Sequence, residues 1–154
     1  MKVLPTVLAL IGILAGTHAS AQFSPDKSVE IKNAWARIAP TEAGTVSVFF
    51  EVFSHRDSAD TLISASSPAA EKVTLRRGTW KGLSFSNEPT SRIEIGAHKR
   101  LTFRPGTYEV TVTNFTAPLE VGMNLPITLV FRDAGQLNIQ IAVGNQLLGN
   151  RTKK

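Results

Sequence analysis

The sequence predicts an all-β fold, a sandwich or barrel built from about eight to ten short strands. Two observations carry this prediction. Apolar and polar residues alternate with a period of two through most of the chain, and turn-forming residues interrupt the alternation at short intervals. A third observation agrees with them: no 3.6-residue apolar pattern persists over ten residues after position 21.

The first half of the chain alternates from Val29 onward, most strongly in the segment VSVFFEV. The polar segment SHRDSAD and the segment SSPAA then separate short apolar stretches, as turns do. The predicted strands in this half are Val29–Ile31, Ala34–Ile38, Val46–Val52, Thr61–Ala65 and Val73–Arg76.

In the second half, Arg77-Gly78-Thr79 is predicted to be a hairpin connection, and Pro105-Gly106 a turn. Gly122 and Pro126 are interpreted as loop residues. The predicted strands are Leu83–Phe85, Ile93–Ile95, Leu101–Phe103, Tyr108–Thr113, Ile127–Phe131 and Leu137–Val143. We expect the core to include Val48, Phe50, Ile93, Ile95, Leu101, Phe103, Leu129 and Phe131.

The N-terminus has the features of a secretory signal peptide. Lys2 precedes an apolar run, Val3–Gly16, and Ala19-Ser20-Ala21 supplies a cleavage site. The run is short for a bilayer span, so an uncleaved membrane anchor is the weaker alternative. We therefore predict a signal peptide at 1–21, one domain at 22–144 and a polar basic tail at 145–154. No Cys follows the signal, which argues against a lipid anchor and excludes disulfides.

Charge limits the classes of partner. Without Lys2, 16 of the 17 basic residues remain against 12 acidic ones, a net charge of +4. An exported protein does not meet nucleic acid, so the basic residues serve solubility, an acidic protein or an anionic membrane surface. No Gly-rich phosphate loop or catalytic triad is evident, and we predict that the protein is not an enzyme.

Short motifs follow one another in a defined order over most of the exported chain. They are the pattern Trp35-x-Arg37-x-x-Pro40, VSVFFEVF, Asp60-x-Leu62, EKVTL, Ile93–Ala97, FRPG, Pro118–Gly122 and LPITLVF. In this order and spacing the sequence resembles the periplasmic copper chaperones of the PCu(A)C type. The resemblance implies a cupredoxin-like Greek-key β-sandwich, a periplasmic location and a role in copper handling for respiratory oxidase assembly.

The resemblance also locates the family's copper site. In the family a His, a Met, a second His and a second Met coordinate Cu(I), and this spacing falls on Arg76, Asn87, Glu109 and Thr111. Cu(I) is soft and takes thioether, imidazole or thiolate ligands, and a guanidinium has no lone pair to donate. We therefore expect no copper cofactor at these positions. Instead, Arg76 and Glu109 are predicted to form a salt bridge there.

Three other residues could bind copper weakly if the family function were retained. His55, His98 and Met123 are the remaining imidazole and thioether side chains of the exported chain. Each has an ordinary alternative role, such as a solvated turn residue for His55.

Trp80 lies between cationic residues in RRGTWKG, with Arg77 and Lys81 nearby. It could anchor a protein partner, or it could cover the end of the sandwich core. Three interpretations thus remain open: a protein-contact member of the family without copper, a weak copper chaperone, and an envelope-interacting protein that uses its basic face.

Overall fold

The computed structural model describes residues 28–39 and 44–144 and consists of strands and connecting turns. The predicted signal peptide and the basic tail lie outside the described residues. The strands are β1 (Val29–Ile38), β2 (Val46–Ser54), β3 (Asp60–Ser66), β4 (Ala70–Lys81), β5 (Ser84–Pro89), β6 (Ile93–Ile95), β7 (Arg100–Thr102), β8 (Tyr108–Phe115), β9 (Asn124–Phe131) and β10 (Gly135–Gly144). The predicted all-β fold is confirmed.

The strands form two packed layers. Strands β5, β4, β8, β2 and β1 follow one another in the first layer, where β7 also pairs with β2. Strands β10, β9, β3 and β6 follow in the second. A short parallel pairing, Ala36 with Val143, connects the layers through β1 and β10. This arrangement is a sandwich with one continuous strand order.

The core lies between the two layers and is apolar. Seven of the eight residues predicted for it are buried, and Leu101 is partly buried against them. Phe50 and Phe103 stack with ring centroids 4.3 Å apart. Because successive residues of a strand face opposite sides, Phe49 points to the outer face of the first layer, where it is also fully buried.

Asp60, at the start of β3, holds the turn between β9 and β10 at one end of the second layer. Its side chain is fully buried and accepts hydrogen bonds from the backbone N–H groups of Thr61, Asp133 and Ala134, at 2.6, 3.0 and 2.9 Å. The last two belong to the turn between β9 and β10. The Asp-x-Leu motif therefore has a structural explanation, with Leu62 in the core.

The predicted hairpin connection at Arg77-Gly78-Thr79 is wrong. Strand β4 continues through these residues to Lys81, paired with β5 from Arg76–Pro89 to Lys81–Ser84. The turn lies at Gly82-Leu83, and Gly82 has φ of +62°, a conformation that favours glycine. Gly78 is required for a different reason. A Cβ at this position would lie 2.7 Å from the carbonyl oxygen of Gly106.

Pro126 is a strand residue rather than a loop residue. It lies within β9 opposite Gln140 of β10. Pairing of β9 with β3 begins only at Thr128, so the missing N–H of Pro126 falls at a free edge, where proline is tolerated.

Candidate functional site

The four residues predicted to lie at the positions of the family's copper site come together on the outer face of the first layer. Arg76 of β4 lies directly opposite Glu109 of β8, and Thr111 is two residues farther along the same face. Asn87 of β5 lies opposite Gly78, two residues from Arg76 on that face. All four line one cavity of about 290 Å³, here called the polar cavity.

A hydrogen-bond network connects these four residues. The Arg76 guanidinium donates to the backbone carbonyl of Asn87, and the Asn87 side-chain amide donates to the Glu109 carboxylate. The Thr111 hydroxyl donates to the same carboxylate oxygen at 3.4 Å. Asn87 therefore stands between the cation and the anion.

The predicted direct salt bridge between Arg76 and Glu109 is wrong. Across residues 28–39 and 44–144, no nitrogen of Arg76 lies within 4.0 Å of a carboxylate oxygen of Glu109. The two Cα positions are paired across the strands as expected, but each side chain bonds to Asn87 instead of to the other.

Arg37 of β1 is a cavity residue that the sequence reasoning did not place in the site. Its guanidinium lies over the Phe49 ring, 5.6 Å from the centroid. Its Nε is buried and has no hydrogen-bond partner in the described part of the protein. The signal was present in the sequence, because Arg37 belongs to the Trp-x-Arg-x-x-Pro motif. Ser47, opposite Arg37 on β2, and Thr45 add two buried hydroxyl groups to the wall.

The donor set of the polar cavity does not suit Cu(I). Its charged residues are Arg37, Arg76 and Glu109, and its other polar side chains offer only amide and hydroxyl oxygens. These are hard ligands or groups without a lone pair, whereas Cu(I) prefers sulfur and imidazole. In the residues that the structure describes, no group of three or more His, Cys, Asp or Glu could hold a metal ion.

The two histidines lie at the other end of the sandwich, each beside a different carboxylate. His55 Nε2 is 3.6 Å from Glu30, and His98 Nε2 is 2.9 Å from Asp57. A hydrogen bond from Lys32 is the main cause that lowers the pKa of Glu30, and His55 adds a smaller effect in the same direction. All these groups are exposed, as solvated loop residues are.

Met123 is far from the histidines. Its carbonyl accepts a hydrogen bond from Val143, which pairs with Ala36 near the end of β1. His55 instead bonds to Ser28, just before the start of β1. At about 3.3 Å per strand residue, the two ends are separated by more than about 20 Å. The structure therefore does not bring the three candidate weak ligands together.

The hairpin of β4 and β5 carries an exposed apolar tip, here called the aromatic hairpin: Trp80, Leu83 and Phe85. The Trp80 and Phe85 rings are 4.9 Å apart, Trp80 is 64% exposed and Leu83 is fully exposed. Trp80 thus does not cover the sandwich core. Lys81 is exposed at the same tip, and Phe85 also lines the polar cavity.

Arg77 points away from the polar cavity. It is next to Arg76 on β4, so its side chain lies on the opposite face, over the Tyr108 ring at 6.0 Å. Of the three residues predicted for partner contact, Trp80 and Lys81 are therefore at the hairpin tip, whereas Arg77 is farther along the strand.

A family model described as "Putative lipoprotein LpqE-like" matches residues 29–143, which extend from the first residue of β1 to the penultimate residue of β10. The chain belongs to the LpqE-like family. One relative, "Putative lipoprotein Lxx21020" of Leifsonia xyli subsp. xyli (strain CTCB07), is 28% identical over 141 residues, which cover 89% of this chain and 83% of the relative.

Solved structures similar to this LpqE-like protein include PCuAC domains. The copper-bound PCuAC domain from PmoF2 is 23% identical with a TM-score of 0.64, and the match covers 77% of this chain and 94% of that domain. The solution structure of CuI-DR1885 from Deinococcus radiodurans is also 23% identical, with a TM-score of 0.61 and coverage of 88% and 89%. The resemblance to the PCu(A)C type and the cupredoxin-like fold are confirmed. Within the described residues, no helix is long and apolar enough to cross a membrane.

Proposed function

We propose that this protein is an exported, copper-chaperone-like accessory protein that does not hold Cu(I) at the family's site and acts by protein contact. The observation that carries the proposal is the network of Arg76, Asn87, Glu109 and Thr111. These residues lie at the four predicted ligand positions and bond to one another. None of the four is a soft donor, and a second guanidinium, that of Arg37, lines the same cavity and disfavours a cation there.

The exported location is supported from two directions. The N-terminal segment has the charge, apolar run and small residues of a cleaved signal peptide, which favours the periplasm. The family description and the Leifsonia relative's name both refer to lipoproteins, a class of exported proteins. The similar PCuAC domain from PmoF2 is copper-bound, and this likeness favours a binding role in copper handling or oxidase assembly.

The aromatic hairpin is the surface that we assign to the partner. Exposed Trp and Phe side chains beside a cationic residue supply the kind of contact that dominates protein interfaces. A fully exposed Leu at the tip adds apolar surface with no neighbour within this chain's core.

Competition against a Cu(I) chelator tests the copper part of the proposal. We expect the exported protein to leave copper with the chelator at submicromolar free Cu(I), because its soft donors are few and separated. Stoichiometric copper binding under these conditions would contradict the proposal. If His98→Ala then abolished that binding, the copper site would have been relocated to the other end of the sandwich.

Site-specific crosslinking tests the protein-contact part. A photoreactive residue at position 80, expressed in the native cell envelope, should give a discrete product that contains a second protein. The control is the same residue at position 94, which is exposed on β6 of the other layer. Identical products from both positions, or none from position 80, would reject the aromatic hairpin as the contact surface.

A further inference from the structure

The Arg37 guanidinium lines the polar cavity with a donor that the described residues leave without an acceptor. A guanidinium has five N–H donors, and burying one without an acceptor is unfavourable. Arg76 donates to the Asn87 carbonyl, whereas the Nε of Arg37 is buried and has no hydrogen-bond partner in the described part of the chain. Packing against Phe49 holds it at the cavity wall.

The charge of the cavity is positive. Among the described residues, its charged side chains are Arg37, Arg76 and Glu109, which together leave a net charge of +1. The Glu109 carboxylate already accepts hydrogen bonds from Asn87 and Thr111. The described residues thus compensate the charge of the two guanidiniums only in part.

We propose that the polar cavity binds a carboxylate group between Arg37 and Arg76. A planar guanidinium fork matches the two oxygens of a carboxylate, and one negative charge balances the net charge of the cavity. The Ser47 hydroxyl, opposite Arg37, can donate an additional hydrogen bond. A phosphate dianion would exceed the available positive charge and would also face Glu109.

The cavity also limits the size of the ligand. A volume of about 290 Å³ is at the small end of ligand pockets, which suits a small carboxylic acid or a single acidic side chain. Phe85 belongs both to the cavity wall and to the aromatic hairpin. An acidic side chain of a protein bound at the hairpin could therefore enter the cavity.

This inference deepens the proposed function, because it rests on the site being without copper. According to this inference, an anion site stands where the family has a cation site. The experiments distinguish failure of the copper-free proposal from failure of the carboxylate inference. Stoichiometric Cu(I) binding in the polar cavity would overturn both proposals. If the protein bound neither copper nor carboxylate, only this inference would be overturned.

The test is a titration followed by ¹H–¹⁵N NMR at constant ionic strength. The probes are sodium acetate, a capped peptide that contains one glutamate, and inorganic phosphate, each added to the purified exported protein. We expect acetate to cause saturable shifts of the Arg37 and Arg76 Nε–H signals. Peptide affinity at least about tenfold above that of acetate would identify a partner's side chain as the source, and similar affinities would identify a small free acid.

Variants assign the binding to the two arginines. Arg37→Ala and Arg76→Gln should each weaken acetate binding by about tenfold or more, because a charge-assisted hydrogen bond is lost. Glu109→Gln should strengthen it by about twofold or more, because a negative charge leaves the wall. Arg77→Ala is the matched control. It removes the same charge from the neighbouring residue on the opposite face of β4, and should change affinity by less than about twofold.

Three results would overturn the inference. One is the absence of a saturable shift at Arg37 and Arg76 with either carboxylate probe. Another is phosphate binding at least as tight as acetate binding. The third is an equal loss of affinity in Arg77→Ala and Arg76→Gln, which would indicate a general effect of net charge. Because Arg37 also covers Phe49, the Arg76→Gln variant keeps the test valid if Arg37→Ala does not fold.

Discussion

Replacing Asp60 by alanine should destabilise the domain more than replacing any other charged residue named above. The Asp60 carboxylate is fully buried at the end of the sandwich opposite the polar cavity. It accepts two hydrogen bonds from the turn between β9 and β10, at 3.0 and 2.9 Å, and one from its own neighbour Thr61. In Asp60→Ala these three N–H groups lose their acceptor.

The expected loss in the free energy of unfolding follows from the two hydrogen bonds between Asp60 and the β9–β10 turn. A hydrogen bond to a charged group contributes about 1.5–3 kcal/mol, and a buried donor left without a partner adds to the loss. Water can reach Asp133, which is exposed, more easily than the buried Ala134. We therefore expect the free energy of unfolding to fall by about 3–5 kcal/mol, a large part of a typical domain's stability.

Urea unfolding followed by tryptophan fluorescence measures this loss. The control is Asp57→Ala, which removes the same carboxylate from a side chain that is fully exposed and paired only with His98. We expect little or no change in that variant. If Asp60→Ala lost less than about 1 kcal/mol, the carboxylate would not be holding the β9–β10 turn, and the structural explanation of the Asp-x-Leu motif would be rejected.

Two further predictions concern the polar cavity. Gly78→Ala should lower the free energy of unfolding, measured in urea, by about 1–3 kcal/mol, because the new Cβ would lie 2.7 Å from the Gly106 carbonyl oxygen and 2.9 Å from Phe85. An unchanged urea midpoint would show that the surrounding backbone and the Phe85 ring can move apart without loss of stability. A fourfold variant that restores the family's ligands should gain Cu(I) affinity in chelator competition, whereas alanine at the same four positions should not. The restoring changes are Arg76→His, Asn87→Met, Glu109→His and Thr111→Met. Equal affinity of the two fourfold variants would contradict the assignment of the ligand positions.

The sequence predicted the strands well because burial imposes the alternation directly. Val48 and Phe50 face the core from β2, and Ile93 and Ile95 do so from β6, as the period of two requires. Leu101 was predicted less well, because β7 is a three-residue strand beside β2 and only partly covered. Glycine positions predicted turns poorly in one case. Gly78 was predicted to lie in a turn, whereas it lies in β4 and permits a close approach of the Gly106 backbone.

The sequence could predict that the four residues lie together, but not how they bond to one another. The family's spacing identified four residues that do line one cavity. Which side chains bond depends on the register of β5 against β4, and this register is set by the turn at Gly82-Leu83. That turn brings Asn87 beside Arg76, where it prevents a direct bond to Glu109. Arg37 was missed because its motif served only to support the family resemblance and was not considered as part of the site.

The most direct test of the central claim, that the family's copper site is now a polar network, observes this network in the presence of copper. One equivalent of Cu(I) is added under reducing, anaerobic conditions to ¹⁵N-labelled exported protein, and ¹H–¹⁵N spectra follow the Asn87 side-chain amide and the Arg76 Nε–H. We predict that both signals stay unchanged, because none of the described residues that line the polar cavity is a soft donor. Shifts of these two signals that saturate at one equivalent would place copper in the cavity and contradict the claim.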